Sequence, residues 1–231
     1  MKSKNFSSWT YVGDPMNTSK IFNDKETDEL VILDVDATLK KREPNYSLLE
    51  KLAAECFLPI SYGGGVSSAE IAKKVVDCGI DKVAINSAIF GSSQILSEVS
   101  QVVGASSTIA SVDVINRKGK YEIYGYPSLD LTDYISGLES LGAGEVLVQS
   151  VSKDGTRSGP DLSLAAAILS ATSLPTIYGG GVSSLDHAIE LWKLGVDGVA
   201  AGSWFVFSGR QAAVLVTYPS RKNLDQAMRV I

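Results

Sequence analysis

Leu58-Pro59-Ile60-Ser61-Tyr62-Gly63-Gly64-Gly65-Val66-Ser67-Ser68 returns 116 residues later as Leu174-Pro175-Thr176-Ile177-Tyr178-Gly179-Gly180-Gly181-Val182-Ser183-Ser184. The alignment runs without a gap from Leu58–Phe90 onto Leu174–Val206, and the same offset pairs Glu29 with Glu145, Pro44 with Pro160 and Leu48 with Leu164. After its glycine triplet each copy carries a helical segment, Gly79 or Gly195, Asp81 or Asp197, a Val-Ala strand, and Ser87 or Ser203. Self-similarity of this extent marks a duplicated structural unit.

Around the repeat, short β-branched runs alternate with segments of helical period. Strands are predicted at Leu30–Val35, Pro59–Tyr62, Lys82–Ile85, Thr108–Val112, Glu145–Val148, Pro175–Tyr178 and Gly198–Ala201. Such runs suit parallel strands buried on both faces. Between them, Ile71, Val75 and Cys78, or Leu185, Ile189 and Trp192, fall on one helical face. Strict alternation of strand and helix predicts a parallel sheet. Two equivalent halves predict an α/β fold, a (β/α)8 TIM-type barrel built from two (β/α)4 half-barrels, with residues 1–231 as a single domain. A doubly wound open sheet would not require this equivalence. Seven strands are read where the barrel needs eight, and the deficit falls at the start. Nothing before Asp28 reads as a buried strand, and Asn5 to Asn17 is polar, aromatic and Gly-Pro-containing, a loop signature. The barrel's first strand is therefore expected to be missing from this chain.

Composition narrows the function. The 231 residues are 45% hydrophobic and 20% charged, with a net charge of −5 and scattered lysines and arginines. No basic stripe exists to neutralise a nucleic-acid backbone, so any phosphate must be held locally. Cys56 and Cys78 form no CxxC pair and have no clustered histidines, which argues against a disulfide framework or a zinc site and fits a reducing cytoplasm. Lys2 and Lys4 run into polar Asn5-Phe6-Ser7-Ser8, and no apolar run reaches membrane-spanning length, so neither export nor a membrane partner is expected.

The glycine triplets each end a predicted strand and precede a helix, where bare N–H groups approach an anion closely and the helix dipole favours it. Two such turns imply two phosphates, with Ser87 and Ser203 as hydroxyl donors. The alternative, that the glycines only permit tight turns, is weakened by the repetition with a serine partner. Asp34, Asp36 and Asp113 are expected at strand C-termini, the face on which barrels assemble catalytic groups. Asp113 is the candidate general acid or base, and a helix cap or loop anchor is its competing role. Ser150 to Gly159 is a polar, glycine-bearing loop suited to folding over a ligand, with Asp154 and Thr156 as contacts, or to a plain surface turn. His187, the only histidine, falls in a predicted helix and reads as structural. No nucleophile triad or histidine metal site is supported.

Asn5-Phe6, Gly13-Asp14-Pro15, Asp28-Glu29-Leu30-Val31-Ile32-Leu33-Asp34, Gly63-Gly64-Gly65, Asp81-Lys82-Val83-Ala84-Ile85-Asn86-Ser87, Asp113 and Asp154-Gly155-Thr156 together resemble, in order and spacing, the cyclase subunit of imidazole glycerol phosphate synthase. The related phosphoribosyl isomerase shares the barrel, but the Asp28–Asp34 strand and the Asn5–Pro15 loop are closer to the cyclase. The resemblance implies a partner glutaminase whose ammonia passes through the barrel to a bisphosphorylated ribonucleotide, where two aspartates assist ring closure. It assigns one of them to Asp113 and puts the other on the missing strand. It assigns phosphate and substrate binding to Gly64, Gly65, Asn86, Ser87, Asp154, Gly155, Thr156, Gly180, Gly181, Gly202 and Ser203, and matches Lys2 to the lysine of a flexible first loop. Glu29, Lys82 and Glu145 match the charges around the ammonia entrance, whose arginine belongs to the absent strand. Neither a metal nor a redox cofactor is expected. Ala213 to Ser220 and Trp9 to Tyr11 are similar to a branch that accompanies a glutaminase and a sugar amidotransferase in bacterial surface-polysaccharide pathways. A different class of function is a noncatalytic ammonia conduit that activates the glutaminase.

Overall fold

The computed structural model describes residues 2–209 and 211–231. A short amino-terminal hairpin, β1 (Lys2–Lys4) with β2 (Ser8–Thr10), leads into α1 (Pro15–Asp24). Then follow β3 (Leu30–Leu33), α2 (Val35–Leu39), α3 (Tyr46–Glu55), β4 (Ile60–Gly63), α4 (Ala69–Asp77), β5 (Lys82–Ile85), α5 (Ser87–Gly91) and α6 (Gln94–Val103). The chain continues through β6 (Thr108–Arg117), β7 (Lys120–Ile123), α7 (Leu131–Gly137), β8 (Glu145–Ser150), α8 (Leu162–Ala171), β9 (Thr176–Gly179), α9 (Leu185–Leu194) and β10 (Gly198–Ala200). It ends with α10 (Ser203–Val206), the small hairpin β11 (Phe207–Ser208) and β12 (Ala213–Val214), and α11 (Arg221–Met228). This is an α/β fold of the (β/α)8 TIM type.

The residues group into two compact units. In the unit made of Pro15–Ser111 and Gly137–Val146, parallel strands run in the order β6-β5-β4-β3. Leu30 lies opposite Ile60, Ser61 opposite Lys82, and Val83 opposite Thr108. Its core includes Leu49, Leu52, Ile60, Val75, Val83, Leu96 and Ile109, none more than 1% exposed. In the unit made of Met1–Asp14, Val112–Ser136 and Leu147–Ile231, the order is β10-β9-β8-β6, with Gly198 opposite Ile177. Val114, Ile123, Val148, Leu164, Tyr178 and Leu191 are its buried core.

The repeat is reproduced in backbone geometry. Gly64 and Gly180 have φ of 123° and 111°, and Lys41 and Arg157, neither of them glycine, have φ of 50° and 55°. Asp81 accepts the Ile60 N–H at 2.8 Å, and its counterpart Asp197 accepts the Thr176 N–H at 2.8 Å. Ser68 and Ser184 cap α4 and α9 by accepting the N–H three residues on, and Asn45 and Asp161 do the same for α3 and α8. Each cap satisfies a donor that the first helical turn leaves without a partner.

Three segments differ from the sequence-based expectation. Asn5–Asn17 is not wholly a loop: Asn5 and Phe6 take positive φ to turn the β1–β2 hairpin, and Pro15 starts α1, where its fixed φ suits a first helical position. Phe6 is held there by an edge-on contact with Tyr124 at 5.8 Å. The strand expected to end at Val112 runs on to Arg117 and folds back as β7 about Lys118-Gly119, both at positive φ. Leu30–Val35 ends early, because Asp34 caps α2 through the Ala37 N–H.

Strands β3 and β10 are the ends of the sheet path, each paired on one side only among the described residues. Their residues are half-buried, with Leu33 50% exposed, whereas every residue of β4 and β9 is buried. The apolar runs of β3 and β10 are those of doubly covered strands, and the structure covers them incompletely.

Candidate functional site: a glycine turn, a buried serine and two lysines

The second glycine triplet and Ser203 lie in one unit together with the amino-terminal hairpin. A Cβ on Gly180 would come 2.7 Å from the Ser150 carbonyl oxygen, and one on Gly181 would strike the Gly159 carbonyl. With positive φ as well, these two positions require glycine, and tight packing of neighbouring loop backbone is part of the reason. Ser203, at the start of α10, is 6% exposed, and its hydroxyl has no hydrogen-bond partner among the described residues. It lines a cavity of about 370 Å³ with Lys2, Lys4 and Arg157. The Lys2 side chain lies directly on Gly202, where any Cβ would collide with it. A buried hydroxyl without a partner costs about 1–3 kcal/mol of desolvation. Three cations around it supply the chemistry to hold an anion there.

Asp154 fastens the hairpin to this site. Its carboxylate is 3% exposed and accepts from Ser3 Oγ at 2.5 Å and from Gln149 Nε2 at 3.3 Å, while its carbonyl accepts the Asn5 N–H at 3.0 Å. A Cβ on Gly155 would strike the Ser3 carbonyl, so the hairpin rests on Gly155. Thr156 donates to the Lys153 carbonyl at 2.8 Å and closes its own turn. Ser3, Lys4 and Arg157 were not singled out from the sequence. Lys2 and Lys4 are two residues apart in a strand and so share a face, and Arg157 matches Lys41 in the repeat; both signals were available.

The first glycine turn is built differently. A Cβ on Gly64 would strike the Asp34 carbonyl, and one on Gly65 would approach the Arg42 carbonyl at 2.6 Å. Asp34 accepts two hydrogen bonds from Arg42 Nη2, both 2.9 Å, and lies 3.4 Å from the Tyr62 hydroxyl. Burial first, and the Asp34 carboxylate second, push the Tyr62 phenol well above its ordinary pKa. Asp36 is exposed and bonded to Lys40 at 2.7 Å, and that bond lowers its pKa. Asp34 thus caps α2 and holds Arg42, and Asp36 makes an exposed ion pair with Lys40 at the end of that helix. Ser87 is exposed where Ser203 is buried, and Asn86 precedes it without a side-chain capping bond.

Asp113 is half-buried within β6, past the pairing with β5 that ends at Ala110 and before the antiparallel pairing with β7 that begins at Val114. Its carbonyl accepts the Tyr124 N–H at 2.8 Å. His187 holds Ser183, with 3.3 Å between Nδ1 and Oγ, a structural contact.

Glu29, Lys82 and Glu145 meet. Lys82 Nζ lies 2.7 Å from Glu145 and 3.5 Å from Glu29, which also accepts from Ser61 Oγ at 2.5 Å. Burial works against the Lys82 charge, but the hydrogen bond to Glu145 and the attraction of both carboxylates outweigh it and raise its pKa. Lys82 begins β5 and Glu145 begins β8, with Glu29 just before β3, so this cluster sits at strand starts.

Residues 1–210 match the histidine biosynthesis protein family. The chain belongs to this family. Relatives within it are named, several of them provisionally, as imidazole glycerol phosphate synthase HisF subunits. The chain is 38% identical over 234 residues to a Pseudomonas aeruginosa protein provisionally named imidazole glycerol phosphate synthase subunit hisF2, covering 97% of this chain and 92% of that one. A Leptospira borgpetersenii protein, provisionally named as the HisF subunit, is 36% identical over 228 residues, 95% of this chain and 90% of its own. The Thermotoga sp. (strain RQ2) imidazole glycerol phosphate synthase subunit HisF is 32% identical over 212 residues, 90% of this chain and 84% of its own. Among the described residues of this family member, no helix is long and apolar enough to cross a membrane, and both cysteines are free.

Proposed function

We propose that this HisF-family chain is the ammonia-using synthase subunit of a glutamine amidotransferase pair. One phosphate of its substrate is held by Ser203, Gly180, Gly181, Gly202 and Lys2. Ammonia from a glutaminase partner enters past Glu29, Lys82 and Glu145. Asp113 moves the proton during ring closure, and Gly64, Gly65, Asn86 and Ser87 take the second phosphate. The observation that carries this reading is the buried Ser203 hydroxyl, without a partner among the described residues, in a cavity walled by Lys2, Lys4 and Arg157. The finer assignment, to amidation of a sugar in surface-polysaccharide synthesis, rests on the Ala213–Ser220 ending and the Trp9–Tyr11 segment.

A second reading, a conduit that activates the glutaminase without catalysis, is favoured by one observation. Two other carboxylates that could join Asp113 are already committed, Asp34 to Arg42 and Asp154 to Ser3 and Gln149. The test is calorimetric titration of the chain with inorganic phosphate and with the family's bisphosphate substrate, followed by an assay of ammonia-dependent ring closure. The synthase reading expects binding and turnover. Binding without turnover, with a glutaminase still stimulated, leaves the conduit. Loss of all phosphate binding would remove the substrate site.

A further inference from the structure

A second cavity, of about 620 Å³, lies beside the Ser203 site and is walled by Thr156, Arg157, Ser183, Trp204, Phe207 and Thr217. Arg157 and Phe207 line both cavities and separate them. The duplication provides an internal control for what the scaffold needs. Ser183 has its twin in Ser67 and Arg157 has a basic twin in Lys41, but Trp204 corresponds to Ala88 and Phe207 to Gly91. A half of this fold therefore forms without either ring. Trp204 and Phe207 are half-buried, so each ring leaves part of its surface open toward the cavity it lines.

The wall is braced by neighbouring contacts. The Trp204 ring stacks on Phe205 with centroids 4.7 Å apart, and Phe205 packs on Tyr218 at 5.0 Å. The Thr217 N–H donates to the Phe205 carbonyl at 2.7 Å, and the Leu215 N–H to the Val206 carbonyl at 3.0 Å, so the segment after β12 clamps α10. Ser183 Oγ donates to the Arg157 carbonyl at 3.0 Å and fixes the loop that carries the guanidinium. Among the described residues that guanidinium makes one long bond, 3.4 Å from Nη1 to the Gly209 carbonyl, which leaves N–H groups for a ligand.

The Thr156 and Ser183 hydroxyls give their protons to the Lys153 and Arg157 carbonyls and keep lone pairs to accept from a ligand. An apolar molecule would leave those lone pairs and the Thr217 hydroxyl against carbon, and a polyanion would find one arginine among the described lining residues. A pyranose uses this set fully. Its C–H face packs on the indole, its hydroxyls pair with the threonines and serine, and one acid group takes the guanidinium in a bidentate pair. We infer that this cavity is a second ligand site, for a monosaccharide bearing one carboxylate or phosphate. The inference stands apart from ammonia delivery, and its site shares Arg157 with the wall of the Ser203 cavity.

The test titrates the full chain with D-glucuronate, D-glucose 6-phosphate, D-glucose and inorganic phosphate, read by calorimetry and by ligand-observed NMR. At least one acidic sugar should bind at least tenfold more tightly than glucose, and whichever is tighter identifies the acid group. Trp204→Ala should weaken it tenfold or more, Trp204→Phe should recover part of the loss, and Arg157→Gln should bring the acidic sugar to the level of glucose. Ser203→Ala should weaken inorganic phosphate and leave the acidic sugar unchanged. Circular dichroism establishes that each variant is folded. Unchanged acidic-sugar binding in folded Trp204→Ala, full displacement by inorganic phosphate, or no binding of either acidic sugar overturns the inference.

Discussion

Ser3 Oγ donates to Asp154 Oδ2 at 2.5 Å across 151 residues of sequence, and this bond ties the amino-terminal hairpin to the loop after β8. Because Asp154 is 3% exposed, removing its carboxylate leaves Ser3 and Gln149 without their acceptor inside the protein. Asp154→Ala is expected to cost about 1–3 kcal/mol, and Ser3→Ala about 1 kcal/mol or less. Freed from its clamp, the hairpin should open locally. Trypsin cleavage after Lys4 should accelerate in Asp154→Ala, and a cleavage rate equal to that of the unaltered chain would show that the hairpin is held by other contacts.

Lys82 sits between two carboxylates, so Lys82→Met leaves Glu145 and Glu29 facing each other without a counter-charge. The loss should lie between that of an exposed pair and a fully buried one, about 1–3 kcal/mol by urea melts. Its folded pKa is raised, so its stabilisation is fully present below the unfolded lysine value of about 10.4 and is lost only as pH rises through the folded value. The stability difference between Lys82→Met and the unaltered chain should therefore be flat from about pH 7 to 9 and shrink only above about pH 10.4. A difference already shrinking near neutral pH would mean that another group dominates this cluster.

Gly64 and Gly180 occupy equivalent turns with φ of 123° and 111°, and a Cβ on either meets backbone oxygen, that of Asp34 or of Ser150. Alanine at either position should cost about 2 kcal/mol or more. Gly91 is the control, with open space around its Cβ position and no positive φ. Gly91→Ala should be close to neutral in the same denaturation experiment, and comparable losses at all three positions would contradict the steric account.

These glycines explain how much of the fold was legible. A backbone geometry that glycine tolerates best leaves a mark in sequence, and the duplication repeats it, so the alternating strands and helices could be read around Tyr62-Gly63-Gly64-Gly65 and its twin. The charge cluster was legible too, because the family resemblance matched Glu29, Lys82 and Glu145 to one ring of charges and each stands at the start of an apolar run. The β1–β2 hairpin was not, since its strands are three residues long and its turn uses Asn5 and Phe6 rather than glycine. The Lys118-Gly119 hairpin carried a turn signal that the expected strand end at Val112 obscured. Ser87 and Ser203 are identical in sequence, and only tertiary packing buries one and exposes the other.

Strands β3 and β10 should report their edge positions in amide hydrogen exchange. Each is paired on one side among the described residues, and each is half-buried, whereas β4 and β9 are buried and paired on both sides. Exchange reflects local opening, which is easiest where few buried contacts hold the strand. Amides of Val31 to Leu33 and of Val199 should exchange at least about tenfold faster than those of Ser61 to Gly63 and Ile177 to Tyr178. Equal protection in solution would mean that the free edges of β3 and β10 are covered there, as exposed edges invite.

Asp113 and Ser203 should separate chemistry from binding. In the proposed synthase, Asp113 acts only on the proton that moves in ring closure, whereas Ser203 contributes a hydrogen bond to a phosphate present before and after. Asp113→Asn preserves the shape of β6 and removes the titratable oxygen. It should lower ammonia-dependent kcat by about 100-fold or more, the usual contribution of a positioned acid or base, with phosphate affinity changed less than about twofold. Ser203→Ala should do the reverse, weakening phosphate about tenfold through one lost hydrogen bond while kcat at saturating substrate stays within a few-fold. The two effects should multiply in the double variant, because one residue acts on the barrier and the other on the complex. If Asp113→Asn retains full ring closure, the acid–base role passes to another group. If the unaltered chain catalyses no ring closure but still stimulates a glutaminase, and Asp113→Asn stimulates it equally, the barrel serves as the conduit and Asp113 is a structural residue of β6.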